Sequence, residues 1–339
     1  MTTSVFSVLG RKGKRRRQTR NLWNDTWRRL LASATGRVGL AISLSLIIMA
    51  MVVPLTLPYN AKTDRNLRNR LLAPSWQMPT SELTRRKLTT TSYLFGTDEL
   101  GRDIFIRVLH GAPLSLTVGL FAVLVAVVVG SLLGLVAGHL GGWFDTLAVW
   151  VMDILLAFPS TLLAIAIAAS SSGSASLTAH MSAIALNIPL LDRIFDPQLF
   201  NALIAIAIVE IPIFGRIARA TVLAIRGQEY ILAARATGIS EARTLFRHIL
   251  PNSLAPLLVQ ATLSIGTAII TVAALGFLGL GARPPRPEWG TMLATARDYI
   301  GDGRWWYATF PGLAIMLTVL GFNLLGDGLR DALDPRLQK

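Results

Sequence analysis

The chain has 339 residues, of which 52% are hydrophobic and only 15% are charged. Soluble domains carry about 25% charged residues, so a chain of this length has too few ionic groups to cover a soluble surface. The composition therefore excludes a soluble enzyme and favours an integral membrane protein. The net charge of +14 keeps nucleic acid binding open as a function, and the lack of cysteine excludes disulfides and thiolate metal sites.

Six segments are apolar enough to cross a bilayer, which requires about 20 predominantly apolar residues. The spans are predicted at residues 38–58, 112–138, 144–170, 198–216, 253–278 and 305–326. The first apolar segment follows a basic leader that is too long for a signal peptide, so we interpret it as a retained anchor. The predicted fold class is all-α, a polytopic membrane protein with six transmembrane helices.

The distribution of Lys and Arg predicts the orientation of these spans. With six spans the two termini lie on one side, and that side carries 19 of the 33 basic residues, against 14 on the other. Because cytoplasmic segments are enriched in Lys and Arg, both termini are placed in the cytoplasm. Outside the spans, the predicted cytoplasmic segments are a basic N-terminal tail at 1–37, a loop at 226–252 and a C-terminal tail at 327–339. The predicted external loops are 59–111, 171–197 and 279–304.

The three external loops differ in composition. Loop 59–111 carries nine Lys and Arg, an unusual number for an external segment, and is predicted to fold as a small cap with an interfacial helix near 103–109. Segment 171–197 begins with a Ser- and Gly-rich stretch that is typical of a flexible connection. In loop 279–304, the residues from Arg283 to Trp289 predict a rigid Pro-rich turn with an interfacial aromatic ring.

The sequence lacks the motifs of common catalytic sites. Its four histidines are scattered, with none at metal-ligand spacing, and it has no G-x-x-x-x-G-K-[ST] phosphate-binding loop. The chain is therefore predicted to hold no cofactor or metal and not to hydrolyse ATP by itself. The basic run from Arg11 to Arg17 is interpreted as a tail on anionic lipid, with nucleic acid binding as the alternative.

Glu210 lies inside the predicted fourth span, where ionisable groups are candidates for function. Two roles stay open: an ion pair with Arg216 near the inner surface, or a proton site in a secondary carrier. A second pattern predicts how the helices pack. Gly130, Gly134 and Gly138 are spaced by four residues and therefore share one face of a helix. They predict a close approach of another helix, from this chain or from a partner.

The segment between the fourth and fifth spans has a pattern of its own. Small alanines and good helix formers predict a short helix over 228–237, and Gly238 is suited to end it. A second short helix is predicted over 241–248, with Pro251 as a break before the fifth span. From the residues alone, this segment is either a protrusion that docks in a groove of another protein or an ordinary amphipathic loop.

This segment resembles the cytoplasmic coupling loop of ABC importer permeases, whose pattern is Glu-Ala-Ala, three residues, Gly, nine residues, Ile, one residue and Leu-Pro. Leu232 and His248 stand where that pattern has Glu and Ile, a variation familiar in the peptide-importer branch. The other positions match. The resemblance implies a set of residues that couple the permease to an ATPase: Ala233, Ala234, Gly238, His248, Leu250 and Pro251.

Three further segments resemble the C-type permeases of dipeptide, oligopeptide and nickel importers. They are Phe95–Asp103 (FGTDELGRD), Ala274–Gly281 (ALGFLGLG) with the following Pro-Pro and Pro-Glu-Trp-Gly, and Phe322–Pro335 (FNLLGDGLRDALDP) with the preceding Phe-Pro-Gly-Leu. The likeness covers about residues 36–336. It implies an ABC type I importer permease fold with a core at about 110–336, and coupling helices between the fourth and fifth spans.

The resemblance also implies the partners and the location of the protein. It implies a bacterial inner membrane importer that contains a second homologous permease, two ABC ATPases that bind ATP and Mg, and an extracytoplasmic substrate-binding protein. The implied cargo is a di- or oligopeptide, with nickel or glutathione as alternatives within the same class. A proton-coupled secondary carrier is the alternative from a different class.

Overall fold

The computed structural model describes residues 22–60, 63–171 and 197–334. These residues form helices and no strand. The predicted basic run Arg11–Arg17 and most of the loop 171–197 lie outside the described residues. Helices α1 to α12 are Leu22–Ala32, Ala34–Thr56, Thr80–Arg86, Ile104–Leu140, Gly142–Ala157, Ser160–Ser171, Pro197–Arg226, Glu229–Ala236, Glu241–Thr244, Leu250–Phe277, Trp289–Ile300 and Trp305–Leu333.

Five of these helices are long and apolar enough to cross a bilayer, namely α2, α4, α7, α10 and α12. The pair α5 and α6 meets the same criterion when taken together, which allows up to six crossings among the described residues. Large apolar side chains such as Met51, Leu55 and Trp143 are exposed on the surface of the helix bundle. Such surfaces are typical of contact with lipid or with other membrane subunits. The predicted class, an all-α multi-pass membrane protein, is confirmed.

The helix predicted over 144–170 is broken into α5 and α6, which meet at an angle of 94°. The break lies at Phe158 and Pro159. Pro159 has no N–H to donate to the preceding turn, and Phe158 before it is extended, with φ −86° and ψ 141°. The prediction of one continuous helix is therefore wrong at this point, and the count of six spans stays a prediction.

Helix α4 begins at Ile104, well before the predicted start at residue 112, and has 37 residues. The Asp103 side chain caps it by accepting a hydrogen bond from the N–H of Phe105 at 2.8 Å. The helix predicted near 103–109 is present, but it is continuous with the span predicted from residue 112 and forms the first turns of α4. At 1.5 Å per residue, α4 is about 55 Å long. Following the predicted orientation, we name the end at Ile104 the outer end of the molecule and the end at Leu140 the inner end.

The three glycines of α4 lie against α7. An added Cβ at Gly130 or Gly134 would collide with the α7 backbone around Gly215, and Gly138 continues this row against Val222. Small residues of this kind let membrane helices approach closely, which increases their packing. The prediction of close packing is confirmed, and the partner is a helix of the same chain.

Two large apolar clusters, and a smaller one between α4 and α5, hold the helices together. The first lies between α4, α6, α7 and α10, and Phe214 of α7 is fully buried in it. The second lies at the outer end, between the first half of α4, α10, α11 and α12. Two of its aromatic members, Trp289 and Tyr307, have no exposed surface. The outer end is therefore a packed part of the bundle.

The loop predicted over 279–304 contains helix α11, and Trp289 is buried, so its predicted interfacial position is wrong. The indole Nε1–H of Trp289 donates to the carbonyl of Val108 at 2.9 Å. Glu288 starts the helix, because its carboxylate accepts hydrogen bonds from the N–H groups of Gly290 and Thr291 at 2.7 and 2.9 Å. Glutamate is not among the preferred N-cap residues, so the sequence indicates only weakly that a helix begins here.

Candidate functional site

The predicted coupling segment, residues 226–252, forms a protrusion at the inner end of the molecule. Arg226 Nη1 donates to the carbonyls of Gly138 and His139 in the last turn of α4, at 3.4 and 3.3 Å. The Glu241 carboxylate lies 3.6 Å from the Nε2 atom of His139. The segment is thus attached to the ends of both α4 and α7.

Gly238 ends helix α8 in a Schellman motif. The N–H of Ile239 donates to the carbonyl of Ala234 at 3.3 Å, and the N–H of Gly238 donates to that of Arg235 at 2.9 Å. Gly238 has a φ of +80°, which residues with a Cβ adopt only at a cost. Across this turn, Arg235 Nη2 donates to Glu241 at 3.0 Å. The prediction that Gly238 ends the first short helix is confirmed, and an ion pair joins α8 to α9.

Pro251 does not interrupt the chain before the fifth span. Helix α9 continues through a π-helical turn, Leu245–Ile249, into α10, and Pro251 lies in the first turn of α10. Proline is tolerated there because the N–H it lacks is not required, and the π-turn shifts the hydrogen-bond register in front of it. Asn252 Nδ2 donates to the carbonyl of His248 at 2.7 Å. The predicted break at Pro251 is therefore wrong.

The six predicted coupling residues lie on the surface of this protrusion. Three of them are exposed, namely Ala233, Gly238 and Pro251. The other three are half-buried, namely Ala234, His248 and Leu250. Ile231 has no exposed surface and anchors α8 to the rest of the chain. Because the anchor lies on one face of α8, the small side chains on the other faces remain accessible to a partner.

Large apolar side chains accompany these small residues. Tyr230, Leu232 and Phe246 are 45%, 53% and 67% exposed. The ring of Tyr230 lies 6.3 Å from that of His248, so α8 and the π-turn are in contact. We call Tyr230, Leu232, Ala233 and Phe246 the coupling surface. Exposed apolar groups with polar neighbours are typical of protein-binding surfaces.

Two arginines of α7 pair with aspartates of α5. Arg219 makes two hydrogen bonds to the carboxylate of Asp145, at 2.5 and 2.7 Å. Arg216 donates to Asp153 at 2.6 Å, in a pair whose side chains are both more than half exposed. Bidentate pairs such as the first have defined geometry, whereas exposed single contacts contribute about 0–1 kcal/mol. The pairs fix how α5 lies against α7.

Glu210 does not pair with Arg216, and this prediction is wrong. Six residues along an α-helix rotate the side chain by about 240° and advance it by about 9 Å, so the two groups lie apart. The buried carboxylate of Glu210 accepts hydrogen bonds from Ser264 Oγ at 2.8 Å and from Thr267 Oγ1 at 3.4 Å. Both hydroxyls belong to α10. Glu210 therefore joins α7 to α10, as polar groups do between membrane helices.

A buried charge cluster lies at the outer end, where the outer cap (residues 63–103) meets α4 and α12. Asp98 has no exposed surface and accepts hydrogen bonds from Arg102 Nε, at 2.6 Å, and from Arg107 Nη1. Glu99 accepts from Arg102 Nη2 at 3.0 Å and from the hydroxyl of Tyr307. The cluster ties the cap to both helices. The motif Phe95–Asp103, singled out as a family resemblance, thus has a structural role.

Glu288, at the start of α11, is fully buried. Burial raises its pKa from 4.5 to about 7, although the hydrogen bonds from Gly290, Thr291 and Ser115 act in the opposite direction. The folded chain therefore holds this proton more tightly than the unfolded chain does. The resulting stability is fully present below the unfolded pKa and is lost as the pH rises through about 7.

We expect the stability of the purified protein in detergent to fall as the pH rises from about 4.5 to about 7, and Glu288→Gln to flatten this slope because the amide does not titrate. The melting temperature across this range checks the expectation. Glu82→Gln, which changes a partly exposed carboxylate in the outer cap, is the control and keeps the slope of the original chain. A Glu288→Gln profile parallel to that of the original chain would contradict this account.

The sequence matches two described families. Residues 130–339 match the family described as "Binding-protein-dependent transport system inner membrane component", and residues 21–74 match "N-terminal TM domain of oligopeptide transport permease C". The first match covers more than half of the chain. The chain therefore belongs to the family of binding-protein-dependent inner membrane transport permeases, and it is of the C type.

Curated relatives are similar along nearly the whole chain. The dipeptide transport system permease protein of Alkalihalophilus pseudofirmus is 48% identical, over 93% of this chain and 90% of the relative. The di/tripeptide transport system permease protein of Pseudomonas aeruginosa is 44% identical, over 88% of each chain. The glutathione transport system permease protein of Pectobacterium atrosepticum is 39% identical, over 96% of this chain and 94% of the relative.

Proposed function

We propose that this chain is one of two permease subunits of an ATP-driven importer that moves short peptides into the cytoplasm. A second homologous permease completes the pathway, two ATPase subunits bind and hydrolyse ATP with Mg, and a substrate-binding protein delivers the cargo from outside. The names of the relatives support a di- or tripeptide as cargo. Glutathione is itself a tripeptide, so the third relative supports the same chemical class.

The observation that carries this proposal is the coupling segment at the inner end. It places accessible small residues and an apolar coupling surface outside the bundle, about 55 Å along α4 from the outer cap. This separation supports an ATPase contact in the cytoplasm and cargo entry on the opposite side of the membrane. Both termini are then cytoplasmic.

The proposed mechanism couples the segment to two membrane helices. The ion pair Arg235–Glu241 and the contacts of Arg226 and Glu241 to the end of α4 connect the segment to α4 and α7. These two helices are packed through the glycine face of α4, so they follow a displacement of the segment together. ATP drives transport only if its binding favours one arrangement of the permease over the other.

The energy source tests the proposed function. The importer is reconstituted in proteoliposomes with its ATPases and binding protein, and uptake of radiolabelled dialanine is measured. We expect uptake to continue after an ionophore collapses the proton gradient and to stop when ATP is withheld. Uptake that requires the proton gradient and continues without ATP would contradict an importer and support a secondary carrier.

Glu210→Gln is expected to keep ATP-driven uptake and to lower stability by about 1 kcal/mol or less, because the amide oxygen still accepts from a hydroxyl. Glu210→Leu removes the acceptor for Ser264 and Thr267 and is expected to cost about 1–3 kcal/mol. Uptake in proteoliposomes and melting in detergent check both variants. Loss of uptake in a Glu210→Gln permease that melts like the original chain would contradict the structural role and favour a proton site.

Gly238→Leu is expected to lower the ATPase activity stimulated by loaded binding protein by about tenfold, because a left-handed residue with a Cβ costs about 1–2 kcal/mol and displaces α8 from its docked position. Insertion is expected to stay unchanged, and melting to fall by no more than this local cost, since an added Cβ at Gly238 meets no atom within 4 Å and only the positive φ opposes the substitution. Stimulated ATPase activity of the reconstituted complex is the measurement.

Gly227 offers a matched control for this variant. It is exposed, an added Cβ there also meets nothing within 4 Å, and its φ is not positive. Gly227→Leu should therefore keep stimulation, and Gly238→Asn should retain most of it because Asn tolerates the left-handed conformation. Equal stimulated ATPase activity of the Gly238→Leu and Gly227→Leu complexes would contradict the coupling role of Gly238.

A further inference from the structure

Helix α1 has an apolar side and a charged side. At about 100° per residue, Leu30, Trp27 and Leu31 fall within about 100° of the helix circumference. Arg28 and Ala32 lie beyond Leu31, at about 160° and 200° from Leu30. Short helices that divide in this way into an apolar and a basic sector are typical of the plane of a membrane surface.

The buried edge of the apolar sector holds α1 at the inner end of the bundle. Leu30 is 1% exposed. An added Cβ at Gly328, near the end of α12, would collide with the Cα atom of Gly36 in α2 and would lie 3.1 Å from Cδ1 of Leu30. Ser33, at the bend between α1 and α2, donates to the carbonyl of Leu30 and accepts from the N–H of Gly36, both at 3.0 Å. Helix α1 is therefore fixed at the point where the apolar segment of α2 begins.

The rest of the apolar sector is exposed. Trp27 and Leu31 are 53% and 40% exposed. Val38, in the second turn of α2, is 49% exposed as well, so the exposed apolar surface continues from α1 into a membrane helix. Tryptophan is enriched where a membrane meets water, because its ring is apolar and its N–H is polar. The exposed sector of α1 thus has the composition and the position of a surface that contacts the bilayer.

The charges around α1 favour anionic lipids. Residues 22–37 contain three arginines, Arg28, Arg29 and Arg37, and one carboxylate, that of Asp25. Residues 1–21 add seven Lys and Arg and no Asp or Glu. Arg28 and Arg37 are exposed, and Arg29 is half-buried. Basic residues next to a membrane helix are attracted to a leaflet that contains anionic lipids, and long arginine side chains reach from an apolar surface to the headgroups.

We propose that α1 lies in the surface of the bilayer, with Trp27 and Leu31 at the boundary of the acyl chains and the arginines on the phosphate groups of anionic lipids. Guanidinium groups bind phosphate through paired N–H···O bonds. Because one residue, Ser33, joins α1 to α2 and Leu30 packs at the end of α12, α1 sets the depth of both helices in the membrane. The choice of the inner leaflet rests on the predicted orientation, whereas the lipid contact does not depend on it.

The test uses the quenching of a fluorescent label by lipid. The chain with Leu31→Cys is labelled with bimane and placed in nanodiscs of equal phosphatidylglycerol and phosphatidylcholine, of which one at a time carries bromine on its acyl chains. We expect the quenching to give phosphatidylglycerol about a tenfold greater relative affinity for the labelled site, because each basic residue near an anionic surface contributes about fivefold. The label on Ala32→Cys, in the charged sector, should be quenched little by either lipid.

Two double variants of the Leu31→Cys chain test the role of the charge. Arg28→Gln/Arg29→Gln should bring the preference for phosphatidylglycerol close to one and leave quenching by both lipids in place. Arg85→Gln/Arg297→Gln removes the same charge at two exposed positions of the outer end and should keep the preference.

Equal quenching by the two lipids, or a preference that survives in the Arg28→Gln/Arg29→Gln chain, would overturn the inference. Equal quenching of the labels at positions 31 and 32 would overturn it as well. The labelled chain is also measured after assembly with unlabelled partner subunits, where quenching at position 31 should persist. Its loss there would show that a protein covers α1 and would overturn the lipid contact. Quenching in the chain alone does not depend on ATP-driven uptake, so this inference and the proposed function fail separately.

Discussion

Gly134→Val is expected to lower the stability of the permease by about 3 kcal/mol, at the upper end of the cost of overpacking. An added Cβ at Gly134 would collide with the carbonyl oxygen of Gly215 and come within 2.9 Å of the backbone nitrogen of Arg219. Backbone atoms in a helix cannot turn aside as a side chain can, so α4 and α7 would have to separate. A lower melting temperature in detergent and a reduced yield of folded protein are the measurements.

Gly312 provides the matched control, because an added Cβ there meets no atom within 4 Å. Like Gly134, it lies inside a membrane helix, so both variants change helix propensity in the same way. Gly312→Val is expected to shift the melting temperature only slightly. Equal shifts for Gly134→Val and Gly312→Val would show that the contact between α4 and α7 does not depend on the glycine face.

Asp98→Ala is expected to cost about 3–5 kcal/mol, because it leaves Arg102 and Arg107 as buried charges without their shared partner. Asp98 also accepts hydrogen bonds from the N–H groups of Leu100 and Arg102, at 2.8 and 2.9 Å, so the fold of the outer cap depends on it. The expected result is a cap that trypsin cleaves in intact proteoliposomes, together with a lower melting temperature.

Glu82→Ala is the matched control for this second variant. It removes the ion-pair partner of Arg86 in the same cap. The side chains of Glu82 and Arg86 are 33% and 24% exposed, and such a pair contributes about 0–1 kcal/mol to stability. The cap of the Glu82→Ala permease should resist trypsin as the original cap does. An Asp98→Ala permease that resists trypsin equally well would contradict the structural role of the buried cluster.

The sequence predicts those parts of the fold that depend on periodicity. The four-residue spacing of Gly130, Gly134 and Gly138 is a property of one helix, so it predicts a contact face without knowledge of the partner. Gly238 likewise ends α8 through its own backbone conformation. The family and the location of the coupling segment follow from local motifs of the same kind.

The features that were predicted wrongly depend on contacts between distant segments. Trp289 is buried because Gly111 of α4 leaves room for its ring, and neither residue indicates the other in the sequence. Glu210 finds its partners on α10 rather than on its own helix. Pro159 and the residue before it disfavour a continuous helix, whereas the apolar composition on both sides favours a single span, and the structure has the break.

The most direct test of the proposed contact between the coupling segment and an ATPase is site-specific crosslinking. The sequence has no cysteine, so a single introduced cysteine is the only thiol of this chain. Ala233→Cys places a single thiol on the exposed face of α8, and Asp298→Cys places one on the exposed face of α11 at the outer end. Each complete importer is labelled with a photoreactive maleimide, irradiated, and analysed by mass spectrometry. We expect the Ala233→Cys importer to crosslink to an ATPase subunit, with a yield that changes when ATP is added, and the Asp298→Cys importer to give no such product. No ATPase product from Ala233→Cys, or an ATPase product from Asp298→Cys, would contradict the account.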